Sequence, residues 1–271
     1  MTRLGPKKNM AASVRDRLMQ LSRARKEDFN LVLIRYAMER LLYRLSRSMH
    51  ESTFILKGAI LFTVWSGHPH RATKDIDLLG TGEPDLGRLA QIFRDVCSLS
   101  VEDDGIVFEA TSVTAARIKE DADYEGVRVR LTGKLGSARL DLQVDIGFGD
   151  AVTPTPKTID FPVLLGSPAP RLRAYPRETV VAEKFEAMVQ LGIANSRMKD
   201  FFDLSFLART FEFDGTVLTK AIVATFARRG TSIPVEEPLA FTKTFAEDPQ
   251  KKAQWTGCGN HAIVNAQNAS S

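Results

Sequence analysis

Residues 73–79 have the sequence TKDIDLL, and this short stretch indicates both a strand and a site. Side chains two residues apart on a β-strand lie on the same face. Asp75 and Asp77 therefore project together, while Ile76 and Leu78 enter the core from the other face. Adjacent carboxylates repel each other unless a cation lies between them, and Mg²⁺ takes such oxygen ligands together with substrate phosphates. An exposed strand that merely has an acidic face is the alternative interpretation.

The segment before this strand predicts a phosphate-binding turn. Residues 53–56, TFIL, form a short apolar, β-rich run that ends at Lys57 and Gly58, and residues 59–65, AILFTVW, can form a buried helix. Gly58 lies between them. A glycine at the start of a helix lets backbone N–H groups approach a phosphate. We therefore expect Gly58 and Ala59 to contact the phosphates of a nucleotide.

A later strand supplies a third carboxylate. Residues 139–146, RLDLQVDI, alternate in polarity, which places Asp141, Gln143 and Asp145 on one face. If this strand neighbours the first acidic strand, three carboxylates can bridge two metal ions about 3.5–4 Å apart, the geometry used for in-line phosphoryl displacement. Asp145 is a stronger candidate than Asp141 because it lies at the end of the run, where catalytic groups tend to occur.

The remaining sequence predicts an α+β fold with two lobes. Apolar residues recur every three or four positions over residues 11–48, with a break near Lys26 that separates two helices. Residues 127–146 alternate with a period of two and form a hairpin around the link 133–138. Residues 154–176 are rich in proline and predict a surface linker. Three further helices are predicted at residues 177–191, 196–211 and 214–228.

This pattern divides the chain into four parts. Helices that pack on the core occupy residues 1–50, and a mixed-sheet α/β lobe occupies residues 51–170. An all-helical lobe occupies residues 171–255, and an irregular tail without helical periodicity occupies residues 256–271. The cleft between the two lobes is the expected place for the site.

Composition excludes several classes of protein. The chain has 271 residues, of which 44% are hydrophobic and 26% are charged, as in ordinary globular proteins. Because no apolar run is long enough to span a bilayer, we expect a cytoplasmic protein without a membrane partner. Cys97 and Cys258 lack metal-ligand spacing and indicate no disulfide framework.

Basic residues are concentrated at the N-terminus. The formal net charge is +4 and the pI is about 9.1, values compatible with a polyanionic partner such as tRNA. A solvated amphipathic helix is the alternative. The residues concerned are Arg3, Lys7, Lys8, Arg15, Arg17, Arg23, Arg25 and Lys26.

Five motifs in a fixed order resemble those of one protein family. A glycine at a strand–helix turn, then Asp-x-Asp, then a later strand aspartate is the order found in polymerase-β-like nucleotidyltransferases. The full set is similar to the AbiEii/AbiGii toxin family, over residues 54–229. The motifs are FILKGA at 54–59, HRATKDIDLLG at 70–80, DIGFGD at 145–150, VAEKFEAMV at 181–189 and NSRMKDFFDL at 195–204.

The resemblance implies a nucleotidyltransferase that uses an NTP and Mg²⁺. It would act as the toxin of a toxin–antitoxin or phage-defence pair, so the resemblance also implies a cognate antitoxin as partner. Characterised relatives modify the 3′ acceptor end of tRNA and so stop translation, which implies tRNA as the acceptor. The fold implied is a polymerase-β-like mixed sheet with helices, followed by an all-helical lobe.

The matched motif positions imply roles for individual residues. Asp75 and Asp77 would bind the metal ion. Lys184 would bind nucleotide phosphate, and Asp203 matches an acidic residue of the family's helical lobe for which a catalytic role has been proposed. The further expected nucleotide contacts are Lys57, Thr73 and Arg197.

The helical motifs also allow a structural interpretation. Asp200 and Asp203 share one helix face, because they are three residues apart. Arg197 and Lys199 lie close enough in sequence to pair with them and form a salt-bridge network. Lys184 can bind phosphate or extend to solvent from a largely apolar helix.

Two other functions stay open at this point. The acceptor can be a small molecule or a protein hydroxyl instead of tRNA. A non-catalytic module could also bind nucleotide or an antitoxin through the same cleft. Ala59 gives this second alternative some support, because many nucleotidyltransferases have Gly or Ser there and alanine stiffens the turn.

Overall fold

The computed structural model of the protein describes residues 9–67, 70–121 and 124–266. Over these residues the chain forms nine α-helices and a seven-stranded sheet, which confirms the predicted α+β class. The helices are α1 (Met10–Arg25), α2 (Phe29–Arg47), α3 (Leu61–Ser66), α4 (Leu86–Ser98), α5 (Arg177–Leu191), α6 (Met198–Thr210), α7 (Gly215–Arg229), α8 (Lys243–Glu247) and α9 (Pro249–Ala266). The strands are β1 (Phe54–Lys57), β2 (Asp75–Gly80), β3 (Ile106–Asp121), β4 (Tyr124–Leu135), β5 (Ala138–Phe148), β6 (Lys157–Asp160) and β7 (Arg171–Ala174).

The N-terminal helices are separated where the sequence predicts. Lys26 ends α1 in the left-handed conformation with a φ of 52°, and its N–H group bonds to carbonyls of the last turn. Asp28 then begins α2, because its carboxylate accepts a hydrogen bond from the backbone N–H of Leu31. Helix α2 is buried along most of its length and packs beneath the sheet.

The sheet has the strand order β3-β4-β5-β2-β1-β7-β6. Strands β1 and β2 are antiparallel, whereas β2 and β5 are parallel. Ile76 and Leu78 of β2, with Val144 and Ile146 of β5, are buried in the core below the sheet. The two acidic strands therefore lie side by side at the centre of the sheet, with their opposite face available for a site.

The proline-rich segment 154–176 is not the predicted surface linker, because it contains strands β6 and β7. Proline has no N–H group to donate within a sheet. Here the prolines flank the strands: β6 lies between Pro156 and Pro162, and β7 lies between Pro170 and Pro176. Residues Leu172 and Ala174 of β7 are buried, and β7 pairs with β1 in parallel.

The helical segment, residues 177–266, shares its core with the sheet. One buried apolar cluster extends from the sheet to Val180 of α5 and Leu207 of α6. The predicted division into two lobes is therefore not confirmed. Helix α9 extends to Ala266, through residues 256–266 of the predicted irregular tail; the last five residues of that tail lie outside the described residues. The tail's Gly257 and Gly259 lower helix propensity, but no proline interrupts the turn-to-turn hydrogen bonds.

Candidate active site

A row of four charged residues crosses the central strands. Lys57 of β1 is directly opposite Asp77 of β2, Asp77 is opposite Asp145 of β5, and Asp145 is opposite Arg128 of β4. Directly opposite residues of neighbouring strands have their side chains on the same face. Asp75 is two positions before Asp77 and lies on that face as well. We call this surface the carboxylate face.

The loop after β1 lies against the carboxylate of Asp77. Gly58 has a φ of +77°, and a Cβ at this position would overlap the Asp77 side chain. Only glycine combines this φ with so close an approach. Ala59 follows, and the helix α3 that begins here has only six residues. The helix dipole therefore contributes little, and phosphate binding at this loop depends on backbone N–H groups and nearby cations.

Asp145 is held by Arg128. The Nε and Nη2 atoms of Arg128 donate to both carboxylate oxygens, each at 2.8 Å, and Gln143 donates at 3.1 Å. Burial and the neighbouring charge of Asp145 raise the pKa of Asp75 above its usual value. The acids of β2 and β5 therefore lie close enough to repel each other, and Arg128 relieves part of that repulsion.

Three carboxylates on one face are a donor set of the kind that Mg²⁺ prefers. In the side-chain positions of the described residues, however, no three acidic, histidine or cysteine groups converge as metal ligands. The bidentate contact with Arg128 engages both oxygens of Asp145 with a guanidinium. The oxygen donors are of the chemical type that suits magnesium, and a metal ion at this face would have to share Asp145 with Arg128.

Lys57 connects β1 to the helical segment. Its Nζ atom lies 2.9 Å from Asp150 and 3.9 Å from Glu183 of α5. Arg229 at the end of α7 contacts Asp150 at 3.2 Å and Glu186 at 2.7 Å. Lys57, an expected nucleotide contact, therefore takes part in an ion-pair network. It lies on β1, the strand next to the one that carries Asp75 and Asp77.

Asp203 lies in a second charged cluster, which we call the Asp203 cluster. Its side chain is fully buried, and Arg71 donates to both oxygens at 3.0 and 3.2 Å. Lys184 lies 2.9 Å from Asp203 and also contacts Asp200, which Arg197 contacts at 2.7 Å. Burial by itself would raise the pKa of Asp203, but Lys184 and Arg71 outweigh it and hold the pKa below its usual value.

The Asp203 cluster thus contains the salt-bridge network that the sequence allows as the structural alternative to a catalytic role. Lys199 is the exception, because it is exposed and lies close enough to Asp75 to oppose the rise in that residue's pKa. A pocket lined by Arg71, Arg197, Lys199 and Gln254 lies beside the Asp203 cluster. Sequence reasoning missed Arg71 and assigned Lys199 to the wrong partners, because neither long-range contact has a local signature.

Thr73 and His70 lie on the segment that leads into β2. The Oγ1 atom of Thr73, an expected nucleotide contact, is buried and has no hydrogen-bond partner among the described residues. The ring of His70 is stacked between Phe62 and Phe202, with its Nε2 atom 3.5 Å from Asp203. Burial lowers the pKa of His70. This segment therefore connects the carboxylate face to the Asp203 cluster.

A family model described as "Nucleotidyl transferase AbiEii toxin, Type IV TA system" matches residues 40–266. The chain belongs to this family. It is accordingly a nucleotidyltransferase-family toxin of a type IV toxin–antitoxin system, and the family implies an antitoxin as partner. No helix in the described ranges is long and apolar enough to cross a membrane.

Two solved structures from Helicobacter pylori are similar to this one. JHP933 is 16% identical with a TM-score of 0.44, and the match covers 88% of this chain and 94% of that chain. A putative nucleotidyltransferase is also 16% identical with a TM-score of 0.44, and the match covers 87% and 96%. None of the curated proteins compared with the chain matches it.

Proposed function

We propose that the protein transfers a nucleoside monophosphate from an NTP to the 3′ acceptor end of tRNA in a Mg²⁺-dependent reaction. The observation that supports this most is the register of the central strands, which sets Asp77 beside Asp145 on one face. Asp75 on the same face has a raised pKa. Such a concentration of negative charge is costly unless a cation is bound there, and a polyphosphate with its metal ion supplies one.

Asp75, Asp77 and Asp145 would hold the metal ion. When bound, Mg²⁺ would neutralise charge on the phosphates and so favour displacement at phosphorus. Arg128 would release one oxygen of Asp145 as the cation enters. A guanidinium at this place pairs with Asp145, which lowers the electrostatic cost of several carboxylates on one face.

The cations that line the pocket beside the Asp203 cluster would bind the triphosphate. Lys199 suits this role because it is exposed and close to Asp75. Arg197 is also half exposed at the rim of this pocket. Lys184, in contrast, would reach a phosphate only by leaving Asp200 or Asp203, so we assign the first phosphate contact to Lys199 and a supporting one to Lys184.

All bonds that form and break in the transfer belong to the NTP and the acceptor. The acceptor hydroxyl gives up its proton to solvent and attacks the α-phosphorus, the bond from the α-phosphorus to the bridging oxygen breaks, and pyrophosphate leaves with that oxygen. Gly58 and Ala59 lie where backbone N–H groups can approach the phosphates, and the surrounding residues act by positioning and by charge stabilisation.

The N-terminal helix supports an RNA acceptor. Phosphate backbones are bound by exposed arginine and lysine side chains. Helix α1 and its end carry five exposed basic side chains, while Arg3, Lys7 and Lys8 lie outside the described residues. The exposed ones are Arg15, Arg17, Arg23, Arg25 and Lys26.

A transfer assay tests the proposal. The purified protein is incubated with each of the four NTPs, labelled at the α-phosphate, with or without total RNA, in Mg²⁺ or in EDTA. We expect label in a tRNA-sized band with at least one NTP, only when Mg²⁺ is present. Label in a protein band or a small-molecule product would favour another acceptor. NTP binding without release of pyrophosphate would favour a non-catalytic module.

A further inference from the structure

A cavity of about 360 Å³ lies between the N-terminal helices and the loop that follows β1. We call it the helix-side cavity. Ligand pockets in proteins start at about 300 Å³ and combine apolar walls with a few polar groups. Its apolar walls come from Leu31 and Met38 of α2, Ile60 of the loop, and the segment after β6. That segment contributes Phe161, Val163 and Leu164.

Three buried polar atoms of residues that line this cavity lack hydrogen bonds within the described parts of the chain. They are Oε1 of Glu39, whose side chain is 1% exposed, Oγ1 of Thr73 and Nε of Arg35. The second oxygen of Glu39 accepts a hydrogen bond of 2.8 Å from the N–H of Leu164. Arg40 lies 3.4 Å from Oε1 without making a hydrogen bond to it. A buried polar atom without a hydrogen bond costs about 1–3 kcal/mol, and a ligand in the cavity would supply the missing bonds.

The cavity adjoins the carboxylate face. Ala59 of the glycine loop and Thr73 of the segment before β2 both line it. Arg71 lines both this cavity and the pocket beside the Asp203 cluster. Burial lowers the pKa of Arg71, but the charges of Asp203 and, more weakly, Asp77 raise it overall. A ligand in the helix-side cavity therefore lies next to the acids proposed to bind metal.

We infer that the helix-side cavity binds a nucleobase, with Glu39 and Thr73 as its hydrogen-bonding groups. A base is flat and apolar on its faces, which suits the aliphatic and aromatic walls, and its edge carries N–H donors that Oε1 of Glu39 can accept. The inference rests on the proposed function, since the base belongs either to the incoming NTP or to the last nucleotide of the acceptor strand. Neither source is assigned to this cavity by the family match.

Glu39 can form a hydrogen bond with a base edge that carries either a donor or an acceptor. Burial raises the pKa of Glu39 to about 7, against the opposing effects of the Leu164 N–H group and Arg40. Near neutral pH the carboxyl group can therefore accept a hydrogen bond when ionised or donate one when protonated.

Binding of nucleosides, which have no phosphate, tests the inference without catalysis. The four nucleosides are titrated into the full-length protein in EDTA, and binding is followed by calorimetry. We expect saturable binding of at least one nucleoside. Val163→Trp, which fills the cavity, should weaken that binding at least tenfold, and Glu39→Ala should weaken it as well. Val107→Trp is the matched control, because Val107 is exposed on β3 and does not line the cavity.

Competition distinguishes the two sources of the base. Displacement of the nucleoside by an NTP would assign the cavity to the incoming nucleotide, and displacement by a short RNA that ends in a 3′ hydroxyl would assign it to the acceptor. Thermal unfolding of each variant shows that the fold is retained. No nucleoside binding, or equal binding by Val163→Trp and Val107→Trp, would overturn the inference. If the variants lose nucleoside binding while Asp77→Asn retains both binding and transfer, the metal assignment fails and the cavity assignment stands.

Discussion

The carboxylate face and the Asp203 cluster both contain aspartates, yet the charges of these aspartates are compensated to different degrees. Asp203 is fully buried and is held by Arg71 and Lys184, so its pKa is lowered. Asp75 is only half-buried, but burial and the nearby Asp145 raise its pKa. One cluster is neutralised by the chain itself, and the other keeps negative charge that a ligand can neutralise.

This difference separates structural acids from acids that are available for chemistry. A buried carboxylate with two cationic partners has little reason to bind a metal ion, because its charge is already compensated. Carboxylates that repel each other on an open face gain from a cation. We therefore assign metal binding to β2 and β5, and we treat Asp203 as a positioning residue that fixes the segment before β2 to α6.

The largest expected effect is the loss of transfer in Asp77→Asn. This change removes one negative charge beside Gly58 but keeps the size of the side chain, so the fold should be retained. We expect the rate of NTP-dependent transfer to fall on the order of 10³-fold, as when a main electrostatic group of an active site is removed. Asp141→Asn is the control, because Asp141 is on the same face of β5 but 71% exposed and away from the row. Similar rates in the two variants would contradict the assignment.

Asp203→Asn should affect stability more than it affects metal binding. The substitution leaves Arg71 and Lys184 without their buried partner, and breaking such a pair costs about 3 kcal/mol. Urea unfolding measures the loss as a shift of the midpoint at constant slope. Asp75→Asn provides the comparison on the carboxylate face. An unchanged midpoint for Asp203→Asn would show that the Asp203 cluster does not hold the helical segment to the sheet.

The two acids should also give opposite dependences on pH in the absence of metal. Because its pKa is lowered, Asp203 stabilises the fold at neutral pH, and this contribution is lost as pH falls below the ordinary value of 3.8. Because its pKa is raised, ionised Asp75 costs stability at neutral pH, and the cost disappears as pH falls through its folded-state pKa. Asp75→Asn should thus be more stable than the parent protein at pH 7 and equal to it at pH 3, with the difference measured by thermal unfolding.

Lys199→Gln should have the smallest of these effects. Loss of an exposed cation beside Asp75 would weaken the hold on the triphosphate and leave the acids in place. We expect the KM for NTP to rise about tenfold, equivalent to about 1.4 kcal/mol, while kcat changes little. Lys220→Gln on α7 is a matched exposed control. A fall in kcat without a change in KM would remove Lys199 from phosphate binding.

Local patterns in the sequence predict the strands that carry the site, but they do not predict that these strands pair with each other. Alternation of polar and apolar residues is enough to identify β2 and β5, and it puts Asp75 beside Asp77 and Asp141 beside Asp145 along each strand. The parallel pairing of β2 with β5, which sets Asp77 opposite Asp145, joins segments far apart in sequence. The same holds for the pairing of Arg71 with Asp203. The sequence pattern does not predict strands β6 and β7, because a proline-rich segment is typical of a surface linker. In the structure the prolines lie at the ends of these strands and not within them.

Direct measurement of metal binding tests the central assignment without any assumption about the acceptor. Mn²⁺, which takes the same oxygen ligands as Mg²⁺, can be titrated into the protein with a non-hydrolysable NTP analogue and followed by electron paramagnetic resonance. We predict that the parent protein and Asp141→Asn bind Mn²⁺, that Asp75→Asn and Asp77→Asn lose this binding, and that folded Asp203→Asn keeps it. Binding retained by Asp77→Asn but lost by Asp203→Asn would contradict the account.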